Sequence, residues 1–254
     1  MLADALDLAN LGWPVFPCVE IPGDRAKSPY TKNGFHDASM DPELIQKWWD
    51  YRPNALIGIP VPTHMLVIDI DPHNGGSREA LEAKAGAIPK TVTAWSGRGD
   101  GGHHLYFFRP NDNQTLTKTK LPPGIDLREG GRHYVIAPPS LHPDTHQPYR
   151  WENFEEGPVA CCPFDLYSLL KLDLSHTGRF LSTPEKSDFS ELLQWVAAAQ
   201  EGCRNDYTFF AACRMAEKNG LDTHADQLLD AAMSTGLSER EVQTCIESAR
   251  RRIA

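Results

Sequence analysis

The stretch Leu66-Val67-Ile68-Asp69-Ile70-Asp71 limits what this chain can fold into more than any other. It reads as a buried apolar strand that ends in two carboxylates. Side chains alternate faces along a strand, so Asp69 and Asp71 point one way while Ile68 and Ile70 point into the core. Two carboxylates on one face repel unless positive charge lies between them. A hard divalent cation such as Mg²⁺ or Mn²⁺, which prefers oxygen ligands, meets that need. The same residues also fit a solvated strand end that leads into the turn Pro72-His73-Asn74-Gly75-Gly76.

Three further segments carry chemistry. Ser96-Gly97-Arg98-Gly99-Asp100-Gly101-Gly102 is rich enough in glycine to bring backbone N–H groups close to phosphates, or to form a plain hairpin turn. The strand after it opens with His103 and His104, only one of which can face the side the loop opens toward. In Gly124-Ile125-Asp126-Leu127-Arg128, Asp126 and Arg128 share a strand face, as in a cross-strand ion pair or an anion site. Pro138-Pro139-Ser140-Leu141-His142 is a rigid turn carrying a hydroxyl and an imidazole, followed by Tyr149-x-Trp151. Neither a GxxxxGK[ST] loop nor a Rossmann glycine pattern is present, which disfavours P-loop and dinucleotide readings.

The surrounding chain sorts into two textures. Short β-rich runs and Pro/Gly turns dominate the first part, with strands expected at 55–59, 65–70, 91–95, 104–108, 124–127 and 132–137. Helices are expected near 2–11, from Asp41-Pro42 through Trp49, and over 77–85. After Pro184 prolines stop and four amphipathic helices follow, the last opened by the capping box Ser238-x-x-Glu241. The expectation is an α+β protein: a mixed-sheet domain over 1–170, a linker over 171–187 and a small all-α bundle over 188–254. The six cysteines show no CxxC pair and read as free thiols. No run approaches the ~20 apolar residues of a membrane span and the N-terminus lacks a signal-peptide pattern, so a soluble cytoplasmic protein is expected. A net charge of −9, evenly spread, disfavours bulk-charge nucleic-acid binding, so any such contact needs a local patch.

Taken in order, the DxD strand, GGxH before an aromatic strand, the Asp126 strand and the Pro-Pro-Ser-x-His turn resemble the primase-polymerase domain of plasmid and phage replication proteins. That domain belongs to the archaeo-eukaryotic primase superfamily. Gly12-x-x-Val15-Phe16-Pro17, Lys27-Ser28-Pro29 and Tyr149-Arg150-Trp151 agree, and the resemblance spans about 1–165. The remainder, with Gly202-x-Arg204-Asn205, is similar to a primase C-terminal helical domain.

The resemblance implies a primase and DNA polymerase using Mg²⁺ or Mn²⁺ in a two-metal site, with NTP or dNTP substrates on a single-stranded DNA template and primer. It makes Asp69, Asp71 and Asp126 the catalytic metal-binding carboxylates. His104, Lys27 and Arg128 become nucleotide-binding groups, joined by Ser140 and His142 of the turn. His103 falls on the opposite face, and Gly102 stands where the motif often has serine. Lys118, Lys120 and Arg250-Arg251-Arg252 are expected template contacts, the arginines equally a favourable helix C-terminus. Unwinding is expected from a helicase partner or from chain beyond Ala254. Two other classes fit the same residues: a non-catalytic nucleotide or nucleic-acid-binding replication module, and a metal-dependent phosphodiesterase.

Overall fold

A computed structural model describes residues 1–155, 157, 159–172 and 189–253. The first helix, α1 (Leu2–Asn10), buries Ala5, Leu8 and Ala9. Asp41 opens the second: its carboxylate accepts from the Glu43 N–H at 3.0 Å and Pro42 takes the first helical position of α2 (Pro42–Tyr51). Ser77 caps α3 (Arg78–Ala85) by accepting from the Ala80 N–H at 3.1 Å. Between and after these helices run β1 (Phe16–Cys18), β2 (Leu56–Pro60), β3 (Met65–Ile70), β4 (Thr93–Trp95), β5 (His103–Phe108), β6 (Ile125–Glu129) and β7 (Tyr134–Ile136).

The strands form two sheets. The smaller has the order β1-β2-β7, antiparallel throughout, over a core of Phe16, Cys18, Leu56, Ile136 and Tyr149. The larger runs β6-β3-β5-β4-β8, where β8 (Arg150–Glu152) is an edge strand. Central β3 is buried along its length except at Asp69, and Ile68 and Ile70 are 0% and 1% exposed. Antiparallel β6 alternates buried Ile125, Leu127 and Glu129 with half-buried Asp126 and Arg128. The mixed α+β architecture is the expected one.

Three short elements were not legible in the pattern: β8 and β9 (Ala160–Cys161), each too brief to show a period, and α4 (Phe164–Leu170), which lacks a side-chain cap. The bundle helices are α5 (Ser190–Ala197), α6 (Arg204–Glu217), α7 (Leu221–Met233) and α8 (Glu239–Ile253). The capping box before α8 is formed, with Glu241 accepting from the Ser238 N–H at 2.8 Å. Most of the expected linker, and Asp188 of the expected α5 cap, lie outside the described residues. By internal contacts the chain divides into residues 1–107 with 118–160, and residues 108–117 with 161–254. Among the described residues no helix is long and apolar enough to cross a membrane.

The free-thiol expectation is corrected at two positions. Cys161 and Cys203 form a disulfide with Cα atoms 5.6 Å apart, while Cys18, Cys162, Cys213 and Cys245 stay free. The partners are 42 residues apart, so only the fold, not local spacing, brings them together. All three terminal arginines have partners within the bundle, Arg251 donating to Ser248 Oγ at 3.2 Å. Arg250 donates to Asp222 at 2.7 Å and Arg252 lies over the Phe209 ring at 5.9 Å.

Backbone packing fixes where β3 ends. The Asp71 N–H donates to the Gly124 carbonyl at 2.8 Å, and a Cβ on Gly124 (φ +69°) would lie 2.2 Å from the Gly76 nitrogen. A Cβ on Gly12 (φ +88°), by contrast, would have nothing within 4 Å, so alanine there meets backbone strain alone. Gly124→Ala should therefore cost about 3 kcal/mol in urea unfolding and Gly12→Ala about 1 kcal/mol. Equal losses would mean that the close approach of the two loops contributes nothing.

Candidate active site

Strand order gathers the polar residues. With β3 between β6 and β5, Asp69 sits across from Asp126 on one side and beside the His104 strand on the other. Asp69 and Asp126 are direct register partners, which puts both carboxylates on one face of the sheet. Basic side chains fill the space around them. Arg128 Nη2 donates to Asp69 Oδ2 at 2.9 Å and lies 3.6 Å from Asp126 Oδ2. His104 Nε2 is 3.4 Å from Asp69 Oδ1, and Lys118 pairs with Asp126 Oδ1.

Burial on its own would raise the Asp69 carboxyl, but His104 and Arg128 overcome it and hold the group well below the ordinary carboxylate range. Asp71 extends the same face one residue beyond β3. It caps the 3-10 turn Pro72–Asn74, accepting from the His73 N–H at 3.1 Å and from Asn74 Nδ2 at 2.7 Å. Arg98 Nη1 lies 3.6 Å from Asp71 Oδ1.

These groups border a cleft of about 390 Å³, a size that suits a small organic ligand. Its lining combines Asp69, Asp71, Asp100, Arg98, Arg128 and His104 with Phe35, Tyr134, Val135, Ile136 and Tyr149, and with Lys27, Arg132 and His133. Despite the chain's net charge of −9, the lining carries four permanent cations and three carboxylates, which gives the local positive patch that an anion needs.

Lys27, at φ +66°, reaches the Nε2 of buried His142 at 3.2 Å and lies 5.7 Å from the Tyr149 ring centre. An ammonium can only donate, so His142 accepts as a neutral imidazole. Burial, then Lys27 and Arg98, lower its pKa in agreement.

Not every expected residue reaches the cleft. Ser140 is fully buried, and its Oγ accepts from the Ile57 N–H at 2.8 Å, joining the turn to β2. Asp126 shares the face of Asp69 without lining the cleft. His103 also borders the cleft, but its ring turns to the other face, where Nδ1 donates to the Gly101 carbonyl at 2.8 Å and the ring packs on Trp95 at 4.5 Å. The glycine-rich loop is a hairpin between β4 and β5, closed by the Ser96 N–H on the Gly102 carbonyl at 2.8 Å. Arg98 is the cation this hairpin delivers. It is the one basic side chain in that loop, a signal the sequence carried. Arg132 and His133 are cleft residues that no motif marked.

The family model of the bifunctional DNA primase/polymerase N-terminal domain matches residues 5–164. The chain belongs to this family. No curated protein matches it by sequence. The primase-polymerase match covers α1 through the start of α4 and so contains the whole cleft; the bundle helices lie outside it. The family is generally metal-dependent, and the carboxylate donors fit that requirement chemically: hard oxygens from two adjacent strands on one face. Among the described residues no three potential ligands close on a single point, since Arg128, His104 and Lys118 hold the oxygens of Asp69 and Asp126.

The Asp69 charge is linked to stability. Its carboxyl is depressed in the folded chain, so below about pH 4 the unfolded chain takes up a proton that the folded chain does not. That contribution is complete above pH 4 and lost as pH falls. Urea unfolding between pH 5 and pH 2 should show a steeper loss for the wild type than for Asp69→Asn. Parallel slopes would place the depressed pKa elsewhere.

Proposed function

We propose that the chain is a template-dependent nucleotidyltransferase that makes primers de novo and extends them on single-stranded DNA, in plasmid or phage replication. One observation carries the reading most strongly: half-buried Asp69 is clasped by His104 and Arg128 in a cleft whose other cations, Lys27, Arg98 and Arg132, suit a triphosphate. In this reading Asp69, Asp71 and Asp126 hold Mg²⁺ or Mn²⁺. Such ions would neutralise the polyphosphate and lower the pKa of the primer 3′-hydroxyl.

The chain's own groups do the positioning. Lys27, Arg98 and Arg128 bind phosphate oxygens and hold the triphosphate in line for attack. His104 donates from Nε2, at Asp69 or at a phosphate oxygen. The apolar lining, Phe35 with Tyr134 and Tyr149, accommodates the base and sugar. Ser140 and His142 act one step back, the first fixing the turn to β2 and the second holding Lys27 in place. Lys118, next to Asp126, and Lys120 are the template contacts in our reading.

Primer synthesis and extension on single-stranded DNA, with ribo- and deoxynucleotide pools supplied separately, test the proposal. Asp69→Ala and Asp71→Ala should each reduce incorporation on the order of 1,000-fold while circular dichroism stays unchanged. Lys27→Ala should raise the nucleotide KM about tenfold. Incorporation that survives loss of Asp69 would reject the assignment. Shortening of a labelled oligonucleotide without added nucleotide would favour a phosphodiesterase instead.

A further inference from the structure

The oxygens of the facing carboxylates all have side-chain partners already. Asp69 Oδ1 meets His104, Asp126 Oδ1 meets Lys118, and the two Oδ2 atoms share one nitrogen, Nη2 of Arg128, at 2.9 Å and 3.6 Å. One guanidinium therefore stands in the gap between Asp69 and Asp126, where the proposed function needs a divalent cation. The two cannot share the gap, because both are positive and both require the same lone pairs.

Arg128 also borders the cleft, beside Lys27, Arg98 and Arg132. Displaced alone, it would move into a region already positive. Displaced in the presence of a triphosphate, it would find oxygens that match its planar fork as well as a carboxylate does. Lys118 is a poorer candidate for this part: it is 63% exposed and outside the cleft lining, so its departure from Asp126 disturbs little.

We infer that Arg128 is an exchangeable counter-ion: it holds the Asp69–Asp126 gap and passes to the nucleotide's triphosphate when a divalent cation takes the carboxylates. Cation and nucleotide thereby bind cooperatively beyond their direct contact. This rests on the proposed function, since it takes the same carboxylates as the cation site. Arg128 is here a positioning residue with a role in the order of binding. A guanidinium that merely held the strands together would give the opposite sign on removal, because its loss would leave the carboxylates less well arranged for a cation.

Mn²⁺ binding, read from the electron paramagnetic resonance signal of the free ion, tests this with and without a non-hydrolysable nucleoside triphosphate. Arg128→Gln should bind Mn²⁺ alone about tenfold tighter than wild type. It should bind the nucleotide analogue in the presence of Mn²⁺ about tenfold more weakly. The factor by which each ligand aids the other should fall about tenfold, and equally in both directions. Arg128→Met repeats the test with a second neutral side chain in case the glutamine variant folds poorly. Arg128→Lys, which keeps the charge but not the planar fork, should bind Mn²⁺ alone within about threefold of wild type.

Mn²⁺ affinity that is unchanged or weakened in the neutral variants overturns the inference. So does a lysine variant that behaves like the glutamine one. Asp69→Asn separates the two levels of argument: if it binds Mn²⁺ as the wild type does, with and without nucleotide, the cation site itself is misplaced and the proposed function falls with it.

Discussion

Two like charges set directly opposite each other across an antiparallel pair govern the architecture of this domain. Asp69 and Asp126 are register partners on β3 and β6, and Asp69 is only 20% exposed. Such a pair destabilises a sheet unless cations are delivered to it. The fold delivers basic side chains from three directions. Two residues along β6 comes Arg128, from the neighbouring strand β5 comes His104, and from the segment before β6 comes Lys118. Strand order β6-β3-β5 is what makes this possible, because it places Asp69 between the strand that carries Arg128 and the strand that carries His104. The tight packing of Gly76 against Gly124 fixes the two strand ends, so that Asp71 continues the same face.

This arrangement explains how an acidic protein can present an anion site. Long-range charge is screened over about 8–10 Å at physiological salt, so a net charge of −9 spread over the surface says little about a cleft. Inside it the balance is local. Each carboxylate has a cationic neighbour, Arg132 is paired with Glu129 at 3.2 Å, and Lys27 adds positive charge beyond these pairs. A phosphate entering such a site meets donors already ordered by their contacts with acids and imidazoles, which lowers the entropy lost on binding.

Much of this was legible in the sequence, for reasons particular to each element. β3 announced itself because alternation and apolarity coincide in Leu66–Asp71, and β6 because Asp126 and Arg128 alternate with Ile125 and Leu127. Asp41-Pro42 and Ser77 marked α2 and α3 through caps that the structure contains. Alternation put His103 and His104 on opposite faces, and the resemblance, not the alternation, singled out His104, which the structure has at Asp69. What escaped depends on non-local packing. The edge strand β8 has three residues and no period to read, and the Cys161–Cys203 disulfide is a product of tertiary contact. Ser140 looked like a ligand group in its Pro-Pro turn, yet its hydroxyl is occupied by a backbone N–H 83 residues away. Arg132 and His133 follow β6 in a turn whose direction no pattern of residues discloses.

The cleft's cations differ in how far they are neutralised, and the difference comes from what holds each one. Arg128 and Arg98 are held by carboxylates, Asp69 and Asp71, so much of their charge is offset before any ligand arrives. Lys27 is held by an imidazole kept neutral by its burial and by the lysine itself. A neutral acceptor fixes the ammonium in place but leaves its charge whole. Seating Lys27 on a carboxylate would have fixed it equally well while removing the attraction for phosphate. The Pro-Pro-Ser-x-His turn thus serves the site indirectly: Ser140 ties it to β2, and the imidazole it carries supports a cation without quenching it.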